Sequence, residues 1–263
     1  MKTLVLLFLC LYLTACSFGS TAYKHFDYIV LWYASDYVRL DKQQKAALSS
    51  ASNLFIEWHK NNELVKYQRL LNEFQNDIRQ QNISPVKAQY YRQEIRRFLD
   101  NIRLYLKPNL SPLLASLSDK QYRKIVRNLN NEINDNEEQN RKLDKSLERM
   151  QERTEDWYGP LNNAQISILN DINHKRSQQR PIWQAENRAW VKAFEQASLL
   201  KGDKRTENIK QILLSSLEPT ENVNYSEKGE WYAIWLLAND TQIQAILTKL
   251  SEYQELLNDI NDE

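Results

Sequence analysis

Residues 118–157 read SDKQYRKIVRNLNNEINDNEEQNRKLDKSLERMQERTEDW, and this stretch decides the fold class. Tyr122, Val126, Leu129, Ile133, Asn136, Asn140, Leu143, Leu147, Met150, Thr154 and Trp157 follow one another in steps of four and three, a heptad seam on one face of a helix. At 1.5 Å per residue such a helix would extend about 60 Å. From Asn134 to Lys142 the seam turns polar, so packing is expected to loosen there. Either this section stands out into water, or Asn136 and Asn140 form a polar contact surface for a partner.

Five helix starts carry one signature, an apolar residue followed by a capping residue: Leu40-Asp41, Ile83-Ser84, Leu117-Ser118, Leu161-Asn162 and Ala238-Asn239. In four of them glutamine stands three residues further on, at Gln44, Gln121, Gln165 and Gln242, whereas Ser84 is followed by Pro85 at the first helical position. This is the capping box, in which the cap side chain accepts from the N3 amide and the N3 side chain reaches back to the cap amide. Four glycines are few for a sheet protein, which needs them in hairpins and bulges. The expected fold is therefore all-α, an elongated multi-helix bundle with long coiled-coil-like helices.

The remaining elements follow from periodicity. A second helix is predicted from Lys42 to about Gln80, with Leu48, Leu54, Phe55, Trp58, Val65 and Ile78 among its apolar face, and a third from Pro85 to just before Pro108. Gly159-Pro160 breaks the chain, and the sequence leaves open whether residues 23–263 form one bundle or two lobes dividing near 158–161. Beyond it a helix runs from Asn162 to about Gln179, with a kink or boundary at Pro181. Short elements near 209–217 and 231–237 precede a last helix from Thr241 to about Ile260, and 201–205 and 218–230 are expected to be mobile loops. Asp27 to Val38 is apolar almost all round. It reads as a helix enclosed by others or, alternatively, as one lying in a membrane headgroup layer.

The amino terminus carries an address. Met1-Lys2, an apolar run from Leu4 to Leu13 and the ending Leu13-Thr14-Ala15-Cys16 read as a secretory signal too short to span a bilayer. Leu-Thr-Ala-Cys resembles the bacterial lipobox, which implies cleavage between Ala15 and Cys16, lipidation of Cys16, and residues 16–22 as a short tether. In lipoproteins of this kind Ser17 implies the periplasmic face of the outer membrane. An ordinary cleaved signal or a hydrophobic first helix are the alternatives.

The whole chain holds 35 basic and 34 acidic residues, and removal of residues 1–15 takes away only Lys2, leaving 34 of each. Such a neutral chain has no net field to recruit nucleic acid over a distance. Cys10 falls in the signal and Cys16 would be acylated, so packing and not disulfides must stabilise the fold. No cofactor or metal is expected and no catalytic residue is nominated: there is no phosphate loop or nucleophile motif, and the mature histidines are His25, His59 and His174. His59 and Glu63 lie four apart on one helix face, as an acid/base pair, as two metal ligands, or as a plain bridge between helices. Trp58, Trp157, Trp183 and Trp190 could wall a ligand pocket, but at helical spacing they read as core.

Tyr28-Ile29-Val30-Leu31-Trp32-Tyr33, Asp36-Tyr37-Val38, Trp58-His59-Lys60, Leu117-Ser118-Asp119-Lys120-Gln121 and Trp157-Tyr158-Gly159-Pro160-Leu161 together resemble the bacterial lipoprotein family DUF6279. The resemblance implies an anchored helical envelope protein with no assigned activity. Val65-Lys66 follows Glu63-Leu64 where the family often has proline, which implies a straighter helix here. The glutamine-marked helix starts are also similar to those of the Spy and CpxP periplasmic chaperones. The expected function is a non-catalytic interaction module or scaffold for an envelope protein partner. A chaperone-like holdase and a hydrolase acting through His59 and Glu63 are the alternatives, and the oligomeric state stays open.

Overall fold

Helix starts organise the chain. The computed structural model describes residues 21, 23–142, 145–216 and 225–262. It runs α1 (Phe26–Tyr37), α2 (Lys42–His59), a π-helical turn (Lys60–Leu64), α3 (Val65–Arg79), α4 (Pro85–Ser116), α5 (Asp119–Lys142), α6 (Ser146–Tyr158), α7 (Asn163–Ser198), α8 (Gly202–Ser215), α9 (Tyr225–Leu236) and α10 (Asp240–Asp262). The fold is an all-α multi-helix bundle, as the seam and the boxes predict.

All four glutamine boxes form, and they form in pairs. Gln44 and Gln121 exchange amide hydrogen bonds at 3.2 and 2.6 Å, and Gln165 and Gln242 do so at 3.0 Å each way. The partners stand 77 residues apart in both pairs. Each glutamine oxygen also accepts from the amide of its own cap residue, at 3.1 Å for Asp41, 2.8 Å for Ser118, 3.0 Å for Asn162 and 3.3 Å for Asn239. The second amide hydrogens go to backbone carbonyls: Gln44 to Ser116 at 2.8 Å, Gln121 to Arg39 at 3.0 Å and Gln242 to Pro160 at 2.8 Å. Gln165 is fully buried and points its amide at Ile234 O, 3.4 Å away.

Apolar clusters surround both junctions. Val38, Leu40, Leu114, Leu117, Tyr122, Phe194 and Ile209 pack about the first. Ile78, Ile246 and Leu250 with half-buried Trp157 and Ile243, and Leu169, Ile172 and Ile234, flank the second. From Gln44 to Ile78, α2, the π turn and α3 cover about 50 Å at 1.5 Å per residue, so the junctions sit far apart. α7 runs back from the second to the first, from Gln165 to Phe194. Helices on both sides of Gly159-Pro160 pack on one another, α8 against α4 and α10 against α3. Gly159 ends α6 at φ +72°, a conformation that other residues adopt only with strain.

Several boundaries differ from those predicted. The single helix over 118–157 is two, α5 and α6, with Lys145 outside both as the start of α6. The run Asn134 to Lys142 offers no apolar stripe to hold a helix against a neighbour. α4 does not stop before Pro108 but continues through Pro108 and Pro112 to Ser116, and α7 passes straight through Pro181. All three prolines are exposed, so the carbonyls that lose their intrahelical donor, those of Leu104, Pro108 and Ser177, lie on the solvent side of their helices. Residues 202–205 open α8 instead of forming a loop. Arg205 is buried, lies over the Tyr122 ring at 4.9 Å, and bonds Leu200 O at 2.6 Å and Asp119 at 2.6 Å. Part of the expected loop at 218–230 lies outside the described residues, and Tyr225 onward is α9. α1 is not enclosed: none of its residues is buried, because it packs on α2 and α5 along one side only.

Pro108→Ala restores a helical donor at an exposed position and is expected to stabilise the fold by about 1–3 kcal/mol, less the entropy that proline removes from the unfolded chain. Urea unfolding checks this, and a lower midpoint would show that the proline is needed at that place.

Candidate functional site

The helix predicted over 42–80 changes register in its middle. Gln44, Leu48, Ser52, Phe55 and His59 form its inward face up to the π turn, and Leu64, Tyr67, Leu71, Phe74 and Ile78 continue it, a step of five where an α-helix takes three or four. Leu54 and Val65, placed on the apolar face from the sequence, are consequently exposed, at 56% and 46%. The helix is not straightened by the lack of proline after Leu64, because the π turn interrupts it instead. Asn62 Nδ2 donates to Trp58 O at 2.8 Å, supporting a carbonyl at the altered turn.

His59 and Glu63 meet at this turn, and both are buried, with 5% and 1% exposure, not on a helix surface. They bond to different partners. His59 Nδ1 lies 2.9 Å from Tyr23 OH and Nε2 lies 3.1 Å from Tyr67 OH. Tyr23 OH donates onward to Ile56 O at 3.3 Å, so a neutral imidazole that donates from Nδ1 and accepts at Nε2 satisfies the chain of contacts. Phe55 stacks on the imidazole at 5.6 Å and Trp58 stacks on Tyr105 at 4.3 Å. Burial lowers the His59 pKa to about 4, against the opposing pull of the Glu63 charge.

Glu63 Oε1 accepts from Lys66 Nζ at 2.7 Å, and Asn101 Nδ2 on α4 bonds its two oxygens at 3.2 and 3.1 Å. Leu64, beside it, packs instead with Leu256 and Ile260 of α10. The extra residue of the π turn thus lets neighbouring positions face two different helices. Chemically the centre is a clasp: it joins the segment before α1, both halves of the 42–79 helix, and α4. His59 and Glu63 are both enclosed, and their polar atoms are engaged with these partners.

The four-residue spacing puts His59 and Glu63 on one turn, where they bond different partners, and Tyr23, Tyr67 and Asn101 were not nominated as site residues from the sequence. Tyr67, two turns beyond His59, was findable by spacing; Asn101 had no local signal. Ala15 and Cys16 lie outside the described residues. Asn136 and Asn140 belong to the α5 backbone, with side chains outside those described. His25 precedes α1, and His174 Nε2 lies 3.0 Å from Gln178 Nε2, so the three histidines do not converge. Among the described residues no group of three or more His, Cys, Asp or Glu gathers as a metal site. Trp157 stacks on Tyr253 at 5.5 Å and Trp190 on Phe194 at 5.8 Å, with Trp190 Nε1 donating to Ile212 O, so these rings serve packing.

These features define a class of box-capped helical bundle with a closed polar clasp. The family model described as a family of unknown function, DUF6279, matches residues 36–218, and the chain belongs to that family. The match takes in His59, Glu63, Asn101 and the first glutamine junction. No curated protein and no solved structure matches the chain.

Because the folded pKa of His59 lies below the ordinary value of 6.5, the unfolded chain binds the extra proton between pH 6.5 and about 4. Stability from this residue is full above that window and lost as the pH falls through it, by up to about 3 kcal/mol. Denaturant unfolding against pH checks this, and a His59→Phe variant should flatten that limb.

Proposed function

We propose that this chain is a lipid-anchored protein on the periplasmic face of the bacterial outer membrane that acts by binding another envelope component, as an interaction module or scaffold. The anchor is supported by Leu13-Thr14-Ala15-Cys16, whose thiol would take the diacylglycerol after cleavage at Ala15. Acyl chains contributing roughly 0.8 kcal/mol per buried methylene hold such a protein on the bilayer without a spanning helix. Among the described residues no helix is long and apolar enough to cross a membrane.

One observation carries binding over catalysis: the polar groups best suited to chemistry, His59 and Glu63, are 5% and 1% exposed and committed to joining helices. The partner surface is the polar end of α5, around Asn136 and Asn140. A holdase role is the second reading, favoured by the exposed apolar ends of α7 and α9 at Leu199, 72%, and Leu236, 64%.

Cys16→Ala is expected to abolish labelling by radioactive palmitate and to remove the protein from the outer-membrane fraction. Unchanged labelling would refute the anchor. A photoreactive residue at position 140, crosslinked in cells, distinguishes the two binding readings. One dominant envelope partner supports the scaffold, and a broad set of unfolded clients supports the holdase.

A further inference from the structure

α1 presents a face that no other described element covers. Tyr28, Trp32 and Ser35 recur along it at helical spacing, and Tyr28 and Trp32 are 67% and 68% exposed. The face leads directly into a cleft of about 270 Å³ that Ser35 also lines. Leu31, Val38 and Leu40 form its apolar wall, and Arg39, Lys45 and Lys124 stand around it. These cations come from the α1–α2 connection, the first turn of α2 and the first turns of α5.

None of the three cations has a carboxylate partner among the described residues, whereas Lys66, Lys87, Arg205 and Lys249 are paired. The nearest acids in sequence form no ion pair with them among the described residues: Asp41 caps α2 by accepting from the Gln44 amide at 2.8 Å, and Asp36 is exposed. In a chain with balanced charge, three exposed cations converging beside an apolar wall favour an anionic amphiphile. A row of Tyr and Trp next to basic side chains is what the bilayer interface selects. The chain length agrees, because the five residues from Cys16 to Thr21 can reach at most about 18 Å.

We infer that α1 docks on the bilayer that carries the anchor, with Tyr28 and Trp32 in the headgroup layer and the phosphates of anionic phospholipids held by Arg39, Lys45 and Lys124. The inference rests on the anchored reading above. The walls of the cleft receive the upper methylenes of a lipid chain, and docking fixes which side of the bundle faces the periplasm. A neutral chain is not drawn to the membrane from afar, so the tether raises the occupancy of this contact by holding the cations within a Debye length of the surface.

The test uses the full chain purified from membranes, with Trp32→Cys carrying an environment-sensitive fluorophore. It is reconstituted with vesicles of phosphatidylcholine alone or of equal parts phosphatidylcholine and phosphatidylglycerol. With phosphatidylglycerol the emission should shift to the blue and be quenched by brominated lipid. Combined Arg39→Gln, Lys45→Gln and Lys124→Gln should lower the docked-to-undocked ratio about tenfold or more, as should high salt. A fluorophore that stays open to aqueous iodide in both vesicles, or a triple variant identical to the parent, overturns the docking. Flotation with phosphatidylcholine vesicles reads the anchor separately. A chain that fails to float there but responds to phosphatidylglycerol overturns the anchor and keeps the docking, and one that floats with a silent fluorophore does the reverse.

Discussion

Gln44 with Gln121, and Gln165 with Gln242, are the constraint on which the bundle depends. At each junction two helix amino termini approach, which brings together like partial charges and orphan amide donors. A glutamine oxygen at the third position of each helix answers this by accepting from its own cap amide and from the opposing side chain. The opposing nitrogen then donates to that oxygen and to a backbone carbonyl at the junction. A side chain with two donors and two acceptor sites is needed to close such a figure, which a leucine could not and a glutamate could not without burying charge. The result is that chain segments 77 residues apart are joined by directional bonds and not only by apolar packing.

Fixing both junctions constrains what lies between them. The 42–79 helix begins at one junction, at Gln44, and ends against the other, where Ile78 meets Ile246 and Leu250. Its inward faces at the two ends are out of phase by one residue for an unbroken α-helix, and the π turn supplies that residue. The same turn exposes an inward side for polar side chains, and His59 and Glu63 fill it with partners from α4 and from the segment ahead of α1. The clasp is thereby a consequence of the junctions. It also positions Tyr23, and through it the start of α1.

Much of this was written locally. The caps, the boxes and the scarcity of glycine specify helices and their starts, and the four-residue interval between His59 and Glu63 places them together. The step of five in the apolar face across residues 59–64 was also present in the sequence, but one broad stripe containing Leu54 and Val65 concealed it. The equal 77-residue intervals between box glutamines were visible as well, although spacing alone does not say that two helix starts touch. Pro108, Pro112 and Pro181 could not be placed inside helices from sequence, because their tolerance depends on which side of the helix meets water. Arg205 read as part of a polar loop until Tyr122 and Asp119 were seen to enclose it.

The most direct test of the account is a double-mutant cycle on Gln165→Leu and Gln242→Leu, read by urea unfolding. Each single change strands a buried amide and should cost about 1–3 kcal/mol or more. The double variant should cost less than the two singles together, with a coupling of about 1–3 kcal/mol. Additive losses, with coupling no larger than about 0.5 kcal/mol, would contradict the claim that the paired glutamines hold the bundle together.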